Sequence, residues 1–166
     1  ALNVYMLWLW SIEAMIDLNG VLKFSLGVDR LPFEMDGQHI QLDQGLSYIQ
    51  SNSMRHGLLD ELAIESMIYV IEELLESVQM KYAQPKTAMT SDGLYQRVLA
   101  LFFPDQQQID RVQLESAFNT FVERREYYVS QVADDSLSSL IYFIVLREMM
   151  HHWNVVEIQF KQLNFE

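Results

Sequence analysis

The stretch that decides the fold is residues 31–42, which read LPFEMDGQHIQL. Apolar side chains recur at every second position on both sides of Asp36-Gly37, a dipeptide typical of two-residue hairpin turns. Such a turn aligns the two apolar rows on one face of the hairpin. The predicted opposite pairs are Phe33 with Ile40 and Leu31 with Leu42. The pattern therefore indicates an antiparallel hairpin that is buried on one face only.

A similar alternation upstream of this hairpin predicts a second one. Residues 12–18 and 21–26 each alternate apolar and polar side chains around Asn19-Gly20. A three-residue loop would align their apolar rows and place Gly20 in the left-handed conformation of a bulge turn. The first twelve residues are mostly apolar and are expected to form a buried strand. Pro32 suggests that its strand lies at a sheet edge.

Beyond residue 43 the spacing of apolar residues changes from two to three or four, which predicts helices. A core stripe runs along the longest of them. The final helix is apolar almost all round, so it belongs in the middle of a bundle or under a sheet, with Asp134 or Asp135 as its cap. The predicted helices cover 58–82, 92–103, 107–130 and 136–153. The best linker candidate is 83–91, which contains Pro85 and a run of small polar residues.

The order of these elements predicts an α+β fold. We expect a single domain over residues 1–166, with a β-meander at 1–43, a mainly helical segment at 44–153 and a strand at 154–163. The antiparallel meander would be packed on one face by about four helices. The C-terminal strand would rejoin the sheet, most simply beside the meander.

Composition restricts the classes of function. The 166 residues include no cysteine, which excludes disulfides, iron–sulfur clusters, thiolate zinc sites and a cysteine nucleophile. The net charge of −12 argues against a protein that binds nucleic acid through its phosphates. The first basic residue is Lys23 and acidic residues interrupt the apolar N-terminal run, so neither a signal peptide nor a membrane span is predicted. We therefore expect a cytoplasmic protein that binds neither nucleic acid nor membrane.

An acidic stripe is the first candidate site. Its members are Glu61, Glu65, Glu72 and Glu76, which lie within about 60° of one another around a helix that turns about 100° per residue. A solvated face opposite the core stripe explains them most simply. A docking surface for a basic protein partner is the alternative, because carboxylates on one straight helix diverge too much to bind a cation by themselves.

The second candidate site is formed by Glu148, His151 and His152. Glu148 and His151 share a helix face, as in the Glu-x-x-His pairs of carboxylate di-metal proteins, but this chain contains no second pair. His152 points about 100° away from His151, so one helix offers two ligands at most. A tight site needs three or four protein ligands. We therefore expect no bound transition metal here and no cofactor, and the histidines would instead complement the helix dipole.

Catalytic motifs are scarce. The sequence lacks a Gly-x-Ser-x-Gly elbow, a Gly-x-Gly-x-x-Gly loop and a Walker loop. These absences favour a non-catalytic acidic interaction module, such as an adaptor, assembly factor or regulator, which we expect to form a homodimer. The alternative is an enzyme or small-ligand-binding protein with a pocket between sheet and helices near Glu148, His151 and His152.

Overall fold

The computed structural model describes residues 20–81, 83–133 and 137–163. They form one sheet of six strands with six helices packed on it, so the predicted α+β class is confirmed. The strands are β1 (Val21–Phe24), β2 (Leu31–Met35), β3 (Gln38–Leu42), β4 (Lys86–Thr90), β5 (Gln108–Asp110) and β6 (Val155–Phe160). The helices are α1 (Leu46–Ser53), α2 (Glu61–Glu76), α3 (Gly93–Phe102), α4 (Arg111–Glu123), α5 (Arg125–Gln131) and α6 (Ser138–His152).

The hairpin of β2 and β3 forms in the predicted register. Phe33 lies opposite Ile40, and Leu31 lies opposite Leu42. Asp36 has φ 52° and Gly37 has φ 74°, which is the pair of positive φ values that a type I′ turn requires. The sequence therefore determines this turn and its register locally.

The hairpin predicted around Asn19-Gly20 is wrong on the side that the structure describes. β1 lies inside the sheet, where it pairs antiparallel with β2 and parallel with β4. Phe24, the predicted partner of Ala14, lies opposite Phe33 instead. The backbone of Gly20 is outside the left-handed region, so no bulge turn forms there. The other arm at 12–18, and the strand predicted in the first twelve residues, lie outside the described residues.

Pro32 does not mark an edge strand. The strand order is β3-β2-β1-β4-β6-β5, so β2 lies between two neighbours. The carbonyl oxygen of Pro32 accepts a hydrogen bond from the backbone N–H of Ser25, one residue after β1 ends. Proline has no backbone N–H to donate, but at Pro32 that N–H would point beyond the end of β1, so few hydrogen bonds between the strands are lost.

The segment predicted as a linker contains the central strand β4. Its polar composition is misleading because Lys86 and Thr90 are buried with their polar atoms hydrogen-bonded. The Nζ atom of Lys86 donates to the carbonyl oxygens of Lys81, Gln84 (2.8 Å) and Trp153 (2.9 Å). A buried amine with three acceptors is tolerated in a core that would reject an unpaired one.

The C-terminal strand rejoins the sheet as predicted, although its neighbours differ from the simplest expectation. β6 pairs parallel with β4 and antiparallel with β5, and it does not pair with the meander. Since β1 is also parallel to β4, three adjacent strands point the same way. Their carboxyl ends therefore meet along one edge of the sheet.

The structure describes six helices where about four were predicted, because α1 has no counterpart among the predicted helices and one predicted helix is divided. The segment predicted as one helix at 107–130 contains β5, α4 and α5, with a break at Arg124. A capping box between Asp110 and Gln113 begins α4 and so ends the preceding strand. The caps predicted at Asp134 and Asp135 lie outside the described residues. Among the helices described, none is long and apolar enough to span a membrane.

The core is built around α6, which is buried nearly all round as its sequence predicts. Phe143 of α6 stacks on Phe102 with ring centroids 4.1 Å apart, and further aromatic rings from α4 and α5 surround this pair. Close packing of this kind fixes α6 relative to the sheet. Residues at both ends of α6 are therefore held in defined positions at two opposite edges of the fold.

Candidate functional site

The carboxyl edge of the parallel strands is the first place where this fold can bind a ligand. Loop 25–30 follows β1, and the turn formed by Ser91 and Asp92 connects β4 to α3. Because β1 and β4 are parallel neighbours, these two connections lie side by side. Open sheets with parallel strands bind ligands in the crevice outside the carboxyl ends of such strands.

Asp92 fastens the two connections together. One carboxylate oxygen accepts from the Ser25 hydroxyl at 2.7 Å. The other accepts from the backbone N–H of Leu26 at 2.8 Å and from the Tyr142 hydroxyl at 2.8 Å. A single carboxylate thus joins loop 25–30, the start of α3 and the central helix α6. Hydrogen bonds to a charged acceptor are about twice as strong as neutral ones, so this junction is rigid.

The N-terminus of α1 holds the same loop from the other side. The backbone N–H groups of Leu46 and Ser47 donate to the carbonyl oxygens of Gly27 and Val28, both at 3.0 Å. Gly45 permits this approach, because a Cβ atom there would lie 2.5 Å from each of these two oxygens. The loop is therefore clamped on both sides before any ligand arrives.

The N-terminus of α3 opens onto this edge. The first residue of α3 is Gly93, and a Cβ atom placed there would meet no atom within 4 Å. The first N–H groups of a helix have no partner within the helix, and they carry the positive end of its dipole. Two exposed cations lie at the same edge. Arg30 ends the loop, and Lys161 follows β6 at this edge, where it lines a depression on the face of the sheet opposite the helices.

Two buried tyrosines lie beneath this edge. Burial, together with the charge of Asp92, raises the pKa of Tyr142 well above its usual value. Burial also raises the pKa of Tyr95, whose hydroxyl donates to the carbonyl oxygen of Ile158 at 2.8 Å. Both hydroxyls therefore stay protonated and serve as hydrogen-bond donors at neutral pH.

The second group of polar residues lies at the other end of α6, where the sequence predicts a candidate site. Arg147 donates to both carboxylate oxygens of Glu115 at 3.1 Å and to Glu148 at 2.9 Å. His151 contacts Glu115 at 3.0 Å. The hydrogen bond from Arg147 lowers the pKa of Glu115, whereas burial raises the pKa of Glu148 against the pull of Arg147 and the histidines.

His152 connects this network to the acidic stripe. Its Nε2 atom lies 3.3 Å from Glu148 and 3.4 Å from Glu72. One ligand atom from each of these three residues lies within 4.8 Å of the others. The rest of the stripe stays exposed, and Glu61 lies 3.9 Å from Arg125. Glu72 therefore belongs to the acidic stripe of α2 and also contacts His152 of α6.

Comparison with known proteins identifies the fold. No protein-family model matches the sequence, and no curated protein matches it significantly. Solved structures do match. The chain is similar to the Ppx/GppA enzyme of Aquifex aeolicus, with 16% identity and a TM-score of 0.64 over 87% of this chain and 54% of that one. The type II variant of the Aquifex aeolicus Ppx/GppA phosphatase gives 15% identity and a TM-score of 0.65 over 92% and 56%. An exopolyphosphatase-like protein is 14% identical to this chain, with a TM-score of 0.58 over 86% of this chain and 54% of that protein.

These neighbours contradict the prediction of a non-catalytic interaction module. The fold that they share with this chain is that of Ppx/GppA phosphatases and an exopolyphosphatase-like protein, so the predicted alternative, an enzyme or small-ligand-binding protein, is better supported than the module. At this level of identity the likeness shows the fold alone. The chain spans just over half the length of these neighbours.

The pocket predicted near Glu148, His151 and His152 does not coincide with the cavities described. A depression of about 480 Å³ lies between α3 and α4, and another of about 390 Å³ lies between β3 and α2. The widest, about 1030 Å³, covers the face of the sheet opposite the helices. None of these three cavities is lined by Glu148, His151 or His152, which form ion pairs instead.

Sequence reasoning missed the residues that build the carboxyl edge. Asp92 lay next to the supposed linker, and Gly27 and Gly45 fall in segments without a periodic pattern. The signal that was available is the sequence Ser91-Asp92-Gly93 between a strand and a helix, where glycine leaves the helix N-terminus open. That signal is weak without the parallel pairing of β1 and β4, which the sequence does not indicate.

Proposed function

We propose that this chain is the phosphate-binding part of a hydrolase that acts on phosphoanhydrides or phosphate esters. The substrate phosphates would bind at the carboxyl edge, between loop 25–30 and the N-terminus of α3. The observation that carries this proposal is the loop itself, which Asp92 and the start of α1 clamp from two sides. The fold shared with Ppx/GppA phosphatases supports the same class of reaction.

The chemistry of this edge suits a phosphate. Free N–H groups at a helix N-terminus and the positive end of the dipole favour an anion, and Gly93 leaves room for one. Arg30 and Lys161 add two positive charges on an otherwise acidic chain. Asp92 already accepts three hydrogen bonds, so we assign it a positioning role and not proton transfer.

Binding is the most direct readout of this proposal. The phosphatase neighbours are nearly twice as long as the part that aligns, and their extra length can supply further groups around the substrate. Phosphate release from polyphosphate by this chain alone would extend the proposal to catalysis. The homodimer, the basic partner of the acidic stripe and the cytoplasmic location remain predictions.

Calorimetric titration of the chain with tripolyphosphate tests the proposal. We expect saturable binding at one site, weakened at least tenfold by the Arg30→Ala, Lys161→Ala double variant. Arg55→Ala removes an exposed charge just beyond the other end of α1 and is the matched control. A chain of net charge −12 repels polyphosphate in general, so saturable binding requires a local site. Absent binding, or an equal loss in Arg55→Ala, would overturn the proposal.

A further inference from the structure

The cluster of Glu72, Glu148 and His152 joins α2 to α6 at the edge of the fold opposite loop 25–30. Glu72 comes from α2, while Glu148 and His152 lie one turn apart on α6. We propose that these three side chains bind one zinc ion, with the fourth coordination position open to water.

The distances fit tetrahedral zinc. Ligands at about 2.0–2.2 Å from a tetrahedral zinc ion lie about 3.4 Å from one another. The Nε2 atom of His152 lies 3.3 Å from Oε2 of Glu148 and 3.4 Å from Oε1 of Glu72. All three ligand atoms fall within 4.8 Å of one another. Small rotations of the partly exposed Glu72 would therefore shorten the remaining distance, between the oxygens of Glu72 and Glu148.

The donor set favours zinc over a hard cation. An imidazole nitrogen with two carboxylates suits zinc, whereas magnesium and calcium select sites made of oxygen alone. Glu148 is only 2% exposed and forms the base of the cluster, while Glu72 and His152 are partly exposed and leave a path for the ion. Arg147 donates to Oε1 of Glu148, which orients that carboxylate and leaves Oε2 for the metal.

The charge of the cluster also calls for a divalent cation. The network contains three carboxylates and one guanidinium, because Arg147 contacts Glu115 and Glu148 while Glu72 contacts His152. The carboxylates outnumber the guanidinium, which leaves an excess of negative charge in a group that includes the buried Glu148. One zinc ion would balance that charge, and buried charges are tolerated when they are paired or bind a metal.

Sequence reasoning counted two ligands at most because it paired Glu148 with His151. The structure pairs Glu148 with His152, one helical turn along, and engages His151 with Glu115. Glu72 then supplies the third ligand from the acidic stripe. The proposed site is independent of phosphate binding. Ten residues of helix, about 15 Å at 1.5 Å per residue, separate His152 from Tyr142 beneath the carboxyl edge.

Calorimetric titration of the untagged, chelator-treated chain with zinc chloride tests this proposal. We expect one equivalent to bind, with affinity reduced at least a hundredfold in His152→Ala and in Glu72→Gln. His151→Ala is the matched control, because it removes the neighbouring imidazole, and its affinity should stay within threefold of the parent. Bound zinc should also raise the melting temperature of the parent chain, since a ligand that binds only the folded state stabilises it.

Glu72→Gln keeps the test decisive if His152→Ala does not fold, since Glu72 lies at the surface and its replacement is isosteric. No zinc binding to the parent chain would overturn the proposal. So would an equal loss of affinity in His151→Ala, or magnesium binding as tight as that of zinc. None of these results depends on whether tripolyphosphate binds.

Discussion

Replacing Asp92 by alanine should destabilise the fold far more than loss of a surface carboxylate. The substitution removes the acceptor for three donors, namely the Ser25 hydroxyl, the Leu26 N–H and the Tyr142 hydroxyl. A hydrogen bond to a charged group contributes about 1.5–3 kcal/mol, and the three contributions overlap because they share one carboxylate. We expect a loss of about 3–5 kcal/mol in the free energy of unfolding.

The Asn substitution separates geometry from charge. Its amide oxygen can still accept from Leu26 and Tyr142 while its NH₂ group donates to the Ser25 hydroxyl, so Asp92→Asn should cost about 1–2 kcal/mol. Urea denaturation measures both variants. Asp43→Ala, which removes an exposed carboxylate elsewhere at the same edge, should change stability by about 0.5 kcal/mol or less.

A double-mutant cycle decides whether Asp92 acts as described. The coupling between Asp92→Ala and Tyr142→Phe should reach about 1–2 kcal/mol, within the range seen for residues in one hydrogen-bond network. Asp92 stands at the N-cap position of α3 but makes no side-chain capping bond, so a capping role predicts no such coupling. If Asp92→Ala lowers the free energy of unfolding by less than about 1 kcal/mol, or if the coupling energy is zero within error, Asp92 does not hold the two loops and α6 together as described.

Four other substitutions probe the same account. Tyr142→Phe should flatten the pH dependence of the free energy of unfolding above about pH 10. The pKa of Tyr142 is raised in the folded state, so its contribution to stability is present below the unfolded-state pKa and is lost as the pH rises above that pKa. If the parent chain and the variant lose stability equally with rising pH in alkaline denaturation, this prediction is wrong. Gly45→Ala should lower the free energy of unfolding by about 1–3 kcal/mol, because the added Cβ atom would meet two carbonyl oxygens. Gly93→Ala should leave the melting temperature unchanged and weaken tripolyphosphate binding. Lys86→Met should lower the free energy of unfolding by about 2–4 kcal/mol in urea denaturation, because three carbonyl oxygens lose their donor and the hydrogen bond to that of Trp153 is buried. An unchanged stability would mean that these oxygens find water.

Local patterns predicted those parts of the fold that local chemistry determines. The register of β2 and β3 follows from one dipeptide and the alternation beside it, and α6 follows from its apolar composition. β4 was not predicted because its buried lysine and threonine give the segment the polar composition of a linker. No local pattern indicates that their polar atoms form hydrogen bonds in the core. The parallel pairing of β1 with β4 joins residues more than 60 positions apart, so the sequence of neither strand predicts this pairing.

The candidate sites show the same division. Glu148 and His152 were named as a candidate site from their type and position, although no bound metal was expected there. Glu72 lies about 80 residues away and was assigned to another surface. Asp92 was not predicted at all, because its role depends on two loops that meet only once the sheet has formed. Sequence reasoning supplied the residue types, and the tertiary fold decided which of them lie together.

Amide chemical shifts of the ¹⁵N-labelled chain, recorded as tripolyphosphate is added, test the central claim most directly. If phosphate binds at the carboxyl edge, the largest shifts should fall on the N–H groups of Gly93, Leu94 and loop 25–30, and they should saturate together. The N–H groups at the end of α6, near His151, should move little. Saturable shifts centred elsewhere, or none at the start of α3, would contradict the account.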